Sequence, residues 1–396
     1  MHLEDYALAK QERQVVSNSA ADPKFIRVTQ QSDLGIQHAL ALASEALSIA
    51  NPNPRVGCLI IDGKGHLIGS GHTQQAGGPH AEVMALRDAV AKGHNAKGAT
   101  AYVTLEPCCH HGRTPPCCDA LIAAGIKKVV ASIADPNPLV SGQGFARLRA
   151  AGIEVEIGPG AAESRELNIG FFSRMIRKTP WVRMKVAASL DGQTALLNGK
   201  SQWITGDAAR ADGHAWRARS CAVLTGIGTV LADNPRLDVR LAEATRQPHV
   251  VIVDSNLETP LDAHILGASR ARFIYVSAQN DAKKAALEAL GVIVVHMPGK
   301  DGKVDLSAML RDLAIREVNE LHVEAGHKLN GSFIREGLVD ELLVYVAPKL
   351  LGTGQGMASF GPLQSLSNAT QLQFKSTEML GDDLRICARV AGRDQF

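Results

Sequence analysis

The sequence predicts an α/β protein made of two successive domains. Its 396 residues are enough for two or three domains of ordinary size, at roughly 150 residues each. Short apolar strands alternate with helical segments along the chain, an order typical of layered folds with a largely parallel sheet. The alternation pauses at residues 161–179, which are polar and mostly helical, and then restarts. We therefore predict domains at 31–178 and 179–396, preceded by a polar extension at 1–30.

The first domain begins with a predicted helix at residues 34–50. Apolar side chains recur there at helical spacing, Asp33 can cap the helix, and Pro52 and Pro54 cannot continue it. Two apolar segments around a glycine-containing turn at 63–65 then predict a β-hairpin. Helices and strands alternate after it, with helices predicted at 80–93, 117–125 and 145–152 and strands at 99–107, 127–136 and 153–158.

The second domain continues the α/β alternation without a cysteine cluster and without repeating the first. Strands are predicted at 181–192, 221–226, 249–254, 272–277, 292–297, 321–326 and 341–348. Glycine follows three of these strands, at the sheet edge where α/β folds bind ligands, and it lets a backbone approach a phosphate closely. Taken one at a time, each of these glycines is also explained by an ordinary turn between a strand and a helix. Because no G-x-G-x-x-G fingerprint opens the domain, a Rossmann site is not favoured.

Composition argues against several classes of protein. A net charge of +2 and an aromatic content of 4% disfavour a nucleic-acid-binding surface, which is usually strongly basic and carries stacking rings. No apolar run approaches the roughly 18 residues that a membrane helix needs. Four of the seven cysteines fall within residues 108–118, a cluster that favours a metal site in a reducing compartment over a disulfide framework. We expect a cytoplasmic protein with neither a nucleic-acid nor a membrane partner.

Four residues form a candidate catalytic zinc site: His80, Glu82, Cys108 and Cys117. Catalytic zinc takes imidazole and thiolate ligands, three from the protein, and keeps one position for water. His80 opens a predicted helix, and the cysteines lie around the start of another, where the helix dipole favours thiolates. Glu82 can carry a proton from that water to a leaving amine. Because H-x-E followed by Pro-Cys is typical of zinc nucleobase deaminases, the predicted reaction removes an amino group from a heterocyclic ring.

The spacing of the cysteines leaves the ligand set open on chemistry alone. Eight residues separate Cys108 from Cys117, so Cys109, His110, His111 and Cys118 are also eligible. Pro107 favours Cys108 as one ligand. A closed structural zinc site explains the cysteine cluster equally well, but such a site has no use for Glu82.

Several motifs, in order, closely resemble the bifunctional deaminase–reductases of riboflavin biosynthesis. They include GGPHAEVMAL, TLEPCCHHGRTPPCCDALIAAGIKKVV, KVAASLDGQTA, GIGTVLADNPRLDVR and LVDELLVYVAPKLLG. The resemblance runs from about Gly35 almost to the C-terminus. It implies a cytidine-deaminase-like three-layer domain followed by a dihydrofolate-reductase-like domain, with zinc in the first, NADPH in the second, and Cys117 rather than Cys118 as a ligand.

The resemblance implies two consecutive reactions on a phosphorylated pyrimidine. The first is hydrolytic deamination of 2,5-diamino-6-ribosylamino-4(3H)-pyrimidinone 5′-phosphate. The second is NADPH-dependent reduction of the ribosyl side chain, which gives 5-amino-6-ribitylamino uracil 5′-phosphate. Asn53, in the loop at 51–57, is then expected to contact the ring, although a turn-forming asparagine has the same signature. The family also tends to form homo-oligomers, and we expect one here.

The resemblance further implies the contacts made in the second domain. Arg217 and Arg240 are forked, permanently charged donors that suit the substrate phosphate. The implied NADP contacts are Ala187, Trp203, Thr229, Asp233 and a loop formed by Gly326, His327, Lys328, Leu329, Asn330, Gly331 and Ser332. The implied substrate contacts are Ser201, Arg217, Leu237, Arg240 and Glu324.

Some features remain open at the level of sequence. Lys185 or Asp233 could act as a general acid in the reduction. Cys221 stands where the family usually has an acidic residue, and we expect an interior position there; the 323–326 segment also replaces a commoner glycine pair. Two other functions compete with the main hypothesis: a nucleic-acid or nucleoside zinc deaminase with an appended ligand-binding domain, and a zinc-stabilised scaffold without activity.

Overall fold

A computed structural model describes residues 23–110, 115–138, 140–242, 244–267 and 269–396. In this part of the chain the first domain contains a five-stranded sheet in the order β2-β1-β3-β4-β5. Strand β1 runs antiparallel to β2 and β3, which confirms the predicted hairpin, and β3, β4 and β5 are parallel. The strands are β1 Gly57–Ile61, β2 Leu67–His72, β3 Thr100–Val103, β4 Lys128–Ala131 and β5 Glu154–Ile157.

Helices cover both faces of this sheet and make three layers, as predicted. Leu59 of β1 packs with Ile36 on one face, while its neighbours Cys58 and Ile60 pack with Ala85 on the other, as the alternation of a strand requires. Helix α1 forms the first outer layer, and α2, α3 and α4 form the second. These helices are α1 Pro23–Glu45, α2 Ala81–Ala91, α3 Cys117–Ala123 and α4 Gln143–Ala150.

The first helix differs from its prediction at both ends. Helix α1 begins at Pro23 and continues through Asp33, which is therefore not its cap. Residues 23–30 of the predicted polar extension belong to this helix, and residues 1–22 lie outside the described residues. The helix ends at Glu45 because the following amides form tighter turns, such as Ala46 N–H to Ala43 O (3.1 Å).

The second domain is built on a nine-stranded sheet among the described residues. Its order is β11-β10-β9-β8-β12-β6-β13-β16-β15; the strands from β11 to β13 are parallel, and β16 and β15 are antiparallel additions. The strands are β6 Trp181–Ser189, β8 Ala222–Gly226, β9 His249–Val253, β10 Arg272–Val276, β11 Ile293–His296, β12 Glu320–Val323, β13 Glu341–Ala347, β15 Leu372–Leu380 and β16 Asp383–Val390.

All seven strands predicted in this domain are confirmed, and four further strands were not predicted. The latter are β15 and β16 at the C-terminus, and β7 Gln193–Leu196 with β14 Gly354–Gly356, which pair as a small separate sheet. Helices again cover both faces of the main sheet. They are α7 Asp207–Arg219, α8 Ile227–Asp233, α9 Asp281–Ala289, α10 Leu306–Ile315 and α11 His327–Arg335.

The two domains meet across a buried polar interface. Helices α5 (Ala161–Leu167) and α6 (Ile169–Arg177) connect them. Glu320 of β12, fully buried, binds Arg183 from its own domain and Arg55 from the first. Burial alone would raise the pKa of Glu320, but Arg219, Arg55 and Arg183 hold it well below its usual value. The ion cluster therefore links the domains. None of the described helices is both long and apolar enough to span a membrane.

Candidate functional sites

The three predicted zinc ligands converge in the first domain. His80 directly precedes α2, and Cys117 is the first residue of α3. The Nδ1 atom of His80 lies 3.5 Å from the Sγ atom of Cys108 and 3.3 Å from that of Cys117. All three donor atoms lie within 4.8 Å of one another. One imidazole and two sulfur donors at this separation are a set that Zn²⁺ accepts.

The start of helix α3 stabilises a thiolate at Cys108. The backbone N–H of Cys117 points at the Sγ atom of Cys108 (3.3 Å), as expected where a helix leaves its first amides unpaired. A hydrogen bond from the Cys117 thiol, together with His80 and this amide, lowers the pKa of Cys108 to about 4 against the effect of burial. Since the thiolate is the form that binds metal, this environment favours a metal ligand at Cys108.

Glu82 lies beside these ligands without belonging to the group of three. It occupies the first turn of α2 and is only 3% exposed. Burial, and next the charge of Cys108, raise the pKa of Glu82 to about 7, and its carboxyl group hydrogen-bonds the Cys117 thiol. A carboxyl group with such a pKa can both accept and return a proton near neutral pH.

The other eligible ligands lie in different surroundings. The Sγ atom of Cys118 points to the carbonyl oxygens of Pro107 (3.2 Å) and Gly144 (3.6 Å), inside the main hydrophobic core. Cys109 packs against the same core. His110 is not in the group of donor atoms described above, and His111 lies outside the described residues.

A buried carboxylate holds the segment before Cys108 in place. Strand β3 ends at Val103, earlier than predicted. Glu106 accepts hydrogen bonds from four backbone N–H groups of the neighbouring loop and helix α4, at distances of 2.9 to 3.3 Å; these belong to Asp135, Gly142, Gly144 and Phe145. The site is thus supported by a fully satisfied buried group.

The predicted ring contact Asn53 lies in a turn between the domains. Its backbone N–H bonds the carbonyl of Ala50 (2.9 Å), and its side chain is half-buried. Of the two residues before it, Asn51 donates to the carbonyl of Arg219 (2.8 Å) and Pro52 accepts from Asn319 (2.8 Å). The turn therefore contacts the second domain as well as the first.

A cavity of about 710 Å³ occupies the second domain at the C-terminal end of its central strands. It is large enough for a cofactor and part of a substrate. Twelve of the residues that the family resemblance implied line it: Ala187, Ser201, Trp203, Arg217, Thr229, Asp233, Leu237, Arg240, Glu324, Gly326, His327 and Asn330. Both proposed general acids, Lys185 and Asp233, are also in the wall.

Four residues of the predicted cofactor loop are not part of the described lining. The segment after Gly326 is helix α11 rather than a loop, so its residues face in different directions. Leu329 packs against the core, and a Cβ atom on Gly331 would approach Ser359 O to 1.8 Å, so this glycine permits close packing. Ser332 bonds within the helix to the carbonyl of Lys328 (3.3 Å).

A half-buried charge cluster lies in the wall of the cavity. The guanidinium of Arg217 binds both carboxylate oxygens of Glu324, with 2.9 Å from Nη2 to Oε2. Burial opposes ionisation, yet Arg217 and Lys185 hold the pKa of Glu324 far below its usual value. Burial lowers the pKa of Lys185, whose Nζ atom lies 3.8 Å from Glu324. The site therefore presents fixed charges of both signs to a ligand.

Sequence reasoning missed several residues of this wall, including His214, Arg210 and Tyr345. His214 precedes Arg217 by three residues on α7, so helical spacing places both on one face. That three-residue spacing is the signal in the sequence from which His214 could have been identified. Arg210 stacks over the ring of Trp203 at 4.6 Å. Cys221 is buried, as predicted, and its Sγ atom accepts the backbone N–H of Asn319 (3.2 Å).

Family comparisons agree with this division into two sites. Residues 29–133 match the cytidine and deoxycytidylate deaminase zinc-binding region, and residues 180–386 match the RibD C-terminal domain. The riboflavin biosynthesis protein RibD of Escherichia coli strain K12 is 43% identical over 91% of this chain and 100% of its own length. That of Aquifex aeolicus strain VF5 is 42% identical over 88% and 95%.

Solved structures show the same two-domain fold. Acinetobacter baumannii RibD is 41% identical, with a TM-score of 0.84 over 92% of this chain and 100% of that one. A Thermotoga maritima diaminohydroxyphosphoribosylaminopyrimidine deaminase/5-amino-6-(5-phosphoribosylamino)uracil reductase is 33% identical, with a TM-score of 0.81 over 92% and 100%. The first domain is thus a zinc-dependent, cytidine-deaminase-like deaminase, and the second an NADPH-dependent reductase of dihydrofolate-reductase-like fold. The chain belongs to the RibD family of bifunctional riboflavin biosynthesis enzymes.

Proposed function

We propose that His80, Cys108 and Cys117 hold zinc and that Glu82 is the proton carrier of the deamination. The observation that carries this proposal is the convergence of the three donor atoms within 4.8 Å beside a buried carboxyl group. Zinc, when bound, would supply an activated water for attack on the ring carbon that bears the 2-amino group. The substrate is the 2,5-diaminopyrimidinone ribosyl phosphate, and the loop with Asn53 contacts its ring.

Glu82 acts first as a base and then as an acid. Its carboxylate accepts a proton as water adds to the ring carbon. It returns a proton to the departing amine, so that one water is consumed and one ammonia is released for each carbonyl formed. A pKa of about 7 suits both steps near neutral pH, because neither protonation state is then strongly disfavoured.

The cavity of the second domain holds NADPH and the ribosyl phosphate of the deaminated product. Ala187, Trp203, Thr229, Asp233, Gly326, His327 and Asn330 contact the cofactor, and Ser201, Arg217, Leu237, Arg240 and Glu324 contact the substrate. We assign Leu329 and Gly331 a packing role, because they face the core and the 357–359 segment. The protein places the reacting carbon against the nicotinamide, and the cofactor supplies the hydride.

The exposed edge of the reductase sheet supports a homo-oligomer. Strand β15 is a nine-residue edge strand, and edge strands left unpaired invite pairing with another chain. It exposes Phe374 (74%) and Met379 (60%), and Leu366 before it is 91% exposed. We propose that a second copy covers this surface. Light scattering on the Phe374→Lys variant should then show a smaller assembly than the wild type; an unchanged mass would remove the surface from the proposal.

Metal analysis combined with an NADPH-oxidation assay tests the proposed function. The purified protein should contain about one zinc per chain. It should release ammonia from the diaminopyrimidinone and oxidise NADPH after that release. Ammonia without NADPH oxidation, or NADPH oxidation without ammonia, would show that one of the two sites is misassigned.

The seven cysteines form no disulfide, which fits a reducing compartment, and we propose that the enzyme is cytoplasmic. We also propose that the boundary between its two domains lies at 178–179.

A further inference from the structure

We infer that His214 donates a hydrogen bond from Nε2–H to the substrate phosphate in the reductase cavity, beside Arg217 and Arg240. This inference rests on the proposed substrate site and adds a residue to it. His214 lies on α7, one turn before Arg217, and lines the cavity while only 5% exposed. A buried polar ring in a ligand cavity needs partners for both of its nitrogen atoms.

The backbone fixes which nitrogen of His214 carries the hydrogen. The N–H of Arg240 donates to Nδ1 of His214 at 3.1 Å, so Nδ1 must present its lone pair. In a neutral imidazole the other nitrogen, Nε2, then carries the hydrogen and is a donor. Burial, followed by the charges of Arg217 and Arg240, lowers the pKa of His214 to about 4, which keeps the ring neutral at physiological pH.

This tautomer places two donors opposite each other. The Nη1 atom of Arg217 lies 3.4 Å from Nε2 of His214, yet both atoms carry hydrogen and cannot bond to each other. Glu324 occupies the Nε and Nη2 atoms of the same guanidinium, which leaves Nη1 with the carbonyl of Asp238 (3.1 Å) and the histidine. An acceptor from a ligand, placed against both Nη1 and Nε2–H, would satisfy the pair.

A phosphate oxygen is the acceptor that best fits these surroundings. Although Arg217 pairs with Glu324 and Arg240 with Asp238, the cavity wall carries a net positive charge. Five cationic side chains line it, Lys185, Arg210, Arg217, Arg236 and Arg240, against the two carboxylates of Asp233 and Glu324. Phosphate could come from the pyrimidine substrate or from NADPH. We commit to the substrate because Arg217 and Arg240 belong to the set that we assign to it.

Two variants separate the donor from the acceptor of His214. His214→Asn keeps an amide oxygen that can receive the Arg240 N–H but ends short of Nε2, whereas His214→Gln carries an amide N–H closer to the Nε2 position. With the full-length protein, His214→Asn should raise the KM for the deaminated 5′-phosphate substrate about tenfold or more, because a hydrogen bond to a charged group is lost. The KM for the same compound without its phosphate, and the KM for NADPH, should stay unchanged.

The Gln variant and a control complete the test. His214→Gln should recover part of the lost affinity, and His296→Asn, exposed on β11 away from the cavity, should behave as the wild type. An equal rise in KM with and without the phosphate would show a merely structural role and overturn the inference. A rise in the KM for NADPH alone would also overturn the inference, because the phosphate bound by His214 would then belong to the cofactor.

Direct binding keeps the inference separate from the proposed function. If the wild type oxidised no NADPH with either compound, the proposed function would fail. Calorimetric titration with inorganic phosphate tests His214 in either case. Binding weakened severalfold in His214→Asn and partly restored in His214→Gln supports the donor role, and equal binding in all three proteins contradicts it.

Discussion

The zinc site and the reductase cavity are built in opposite ways. The zinc site comes from two short segments, residues 80–82 and 108–117, each at the start of a helix. The cavity draws its wall from many segments between Lys185 and Met357. A compact motif shows its chemistry in the sequence: the motif indicated a zinc site with Glu82 beside it, although Pro107 and the family resemblance were needed to choose among the cysteines. A dispersed wall depends on the whole sheet, and only family resemblance indicated its members.

Removing a proposed zinc ligand should have the largest effect. Cys108→Ser should lose zinc and release no detectable ammonia, because a neutral hydroxyl replaces a thiolate ligand. Metal analysis and an ammonia assay would measure both losses. Cys109→Ser is the matched control: Cys109 is half-buried against the core, so that variant should keep its metal. Equal metal loss in both would show that the ligand set is wrong.

Glu82→Gln should preserve the metal but not the reaction. The variant keeps the size of the side chain and cannot carry the proton, so ammonia release should fall about 10²–10⁴-fold. Zinc content should stay at the wild-type level, since Glu82 is not one of the three grouped donors. Deamination at the normal rate would contradict the proton-carrier role of Glu82.

Arg217→Lys should weaken only the second site. Lysine cannot reproduce the two-pronged contact with Glu324, so the KM for the deaminated phosphate should rise about 10–100-fold. Steady-state kinetics of NADPH oxidation would measure this effect. Ammonia release from the first site should not change; a matching loss there would mean that the two sites are not separable.

The interface between the domains should respond to pH through Glu320. Because its folded pKa is lowered, the carboxylate stabilises the fold fully above the unfolded pKa of about 4.3, and this contribution is lost as the pH falls towards the folded value. At neutral pH, Glu320→Gln should cost about 3–5 kcal/mol, since three arginines lose a buried partner. Denaturant unfolding of both proteins should show the difference shrinking in acid; a constant difference would point to packing instead.

Local signals in the sequence predicted most of the helices and strands, but two local signals misled or were missed. The hairpin, the glycine-ended helix α2 and seven strands of the second domain follow from apolar patterns and turn residues. Asp33 illustrates a failure: it has the chemistry of a cap, yet the helix continues through it. The strands β15 and β16 were missed although Gly381 joins two alternating segments there.

The candidate sites show the same limit. Cys108 and Cys117 were favoured over Cys109 and Cys118 by a proline and by resemblance, and the structure now places Cys118 in the core. The direction in which each cysteine points depends on tertiary packing, which spacing does not encode. The helical spacing of His214 from Arg217 could have identified it, but its tautomer is fixed by the backbone of Arg240, a contact that the sequence does not show.

The most direct test of two separate, consecutive sites is to mix two variants. The starting substrate is the diaminopyrimidinone phosphate, at a concentration well below the raised KM of Arg217→Lys for the deaminated phosphate. Arg217→Lys alone should then release ammonia with little NADPH oxidation. Glu82→Gln alone should neither release ammonia nor oxidise NADPH. The mixture should restore both ammonia release and NADPH oxidation, because each variant supplies the site that the other lacks. NADPH oxidation by Glu82→Gln alone on this substrate would contradict the account.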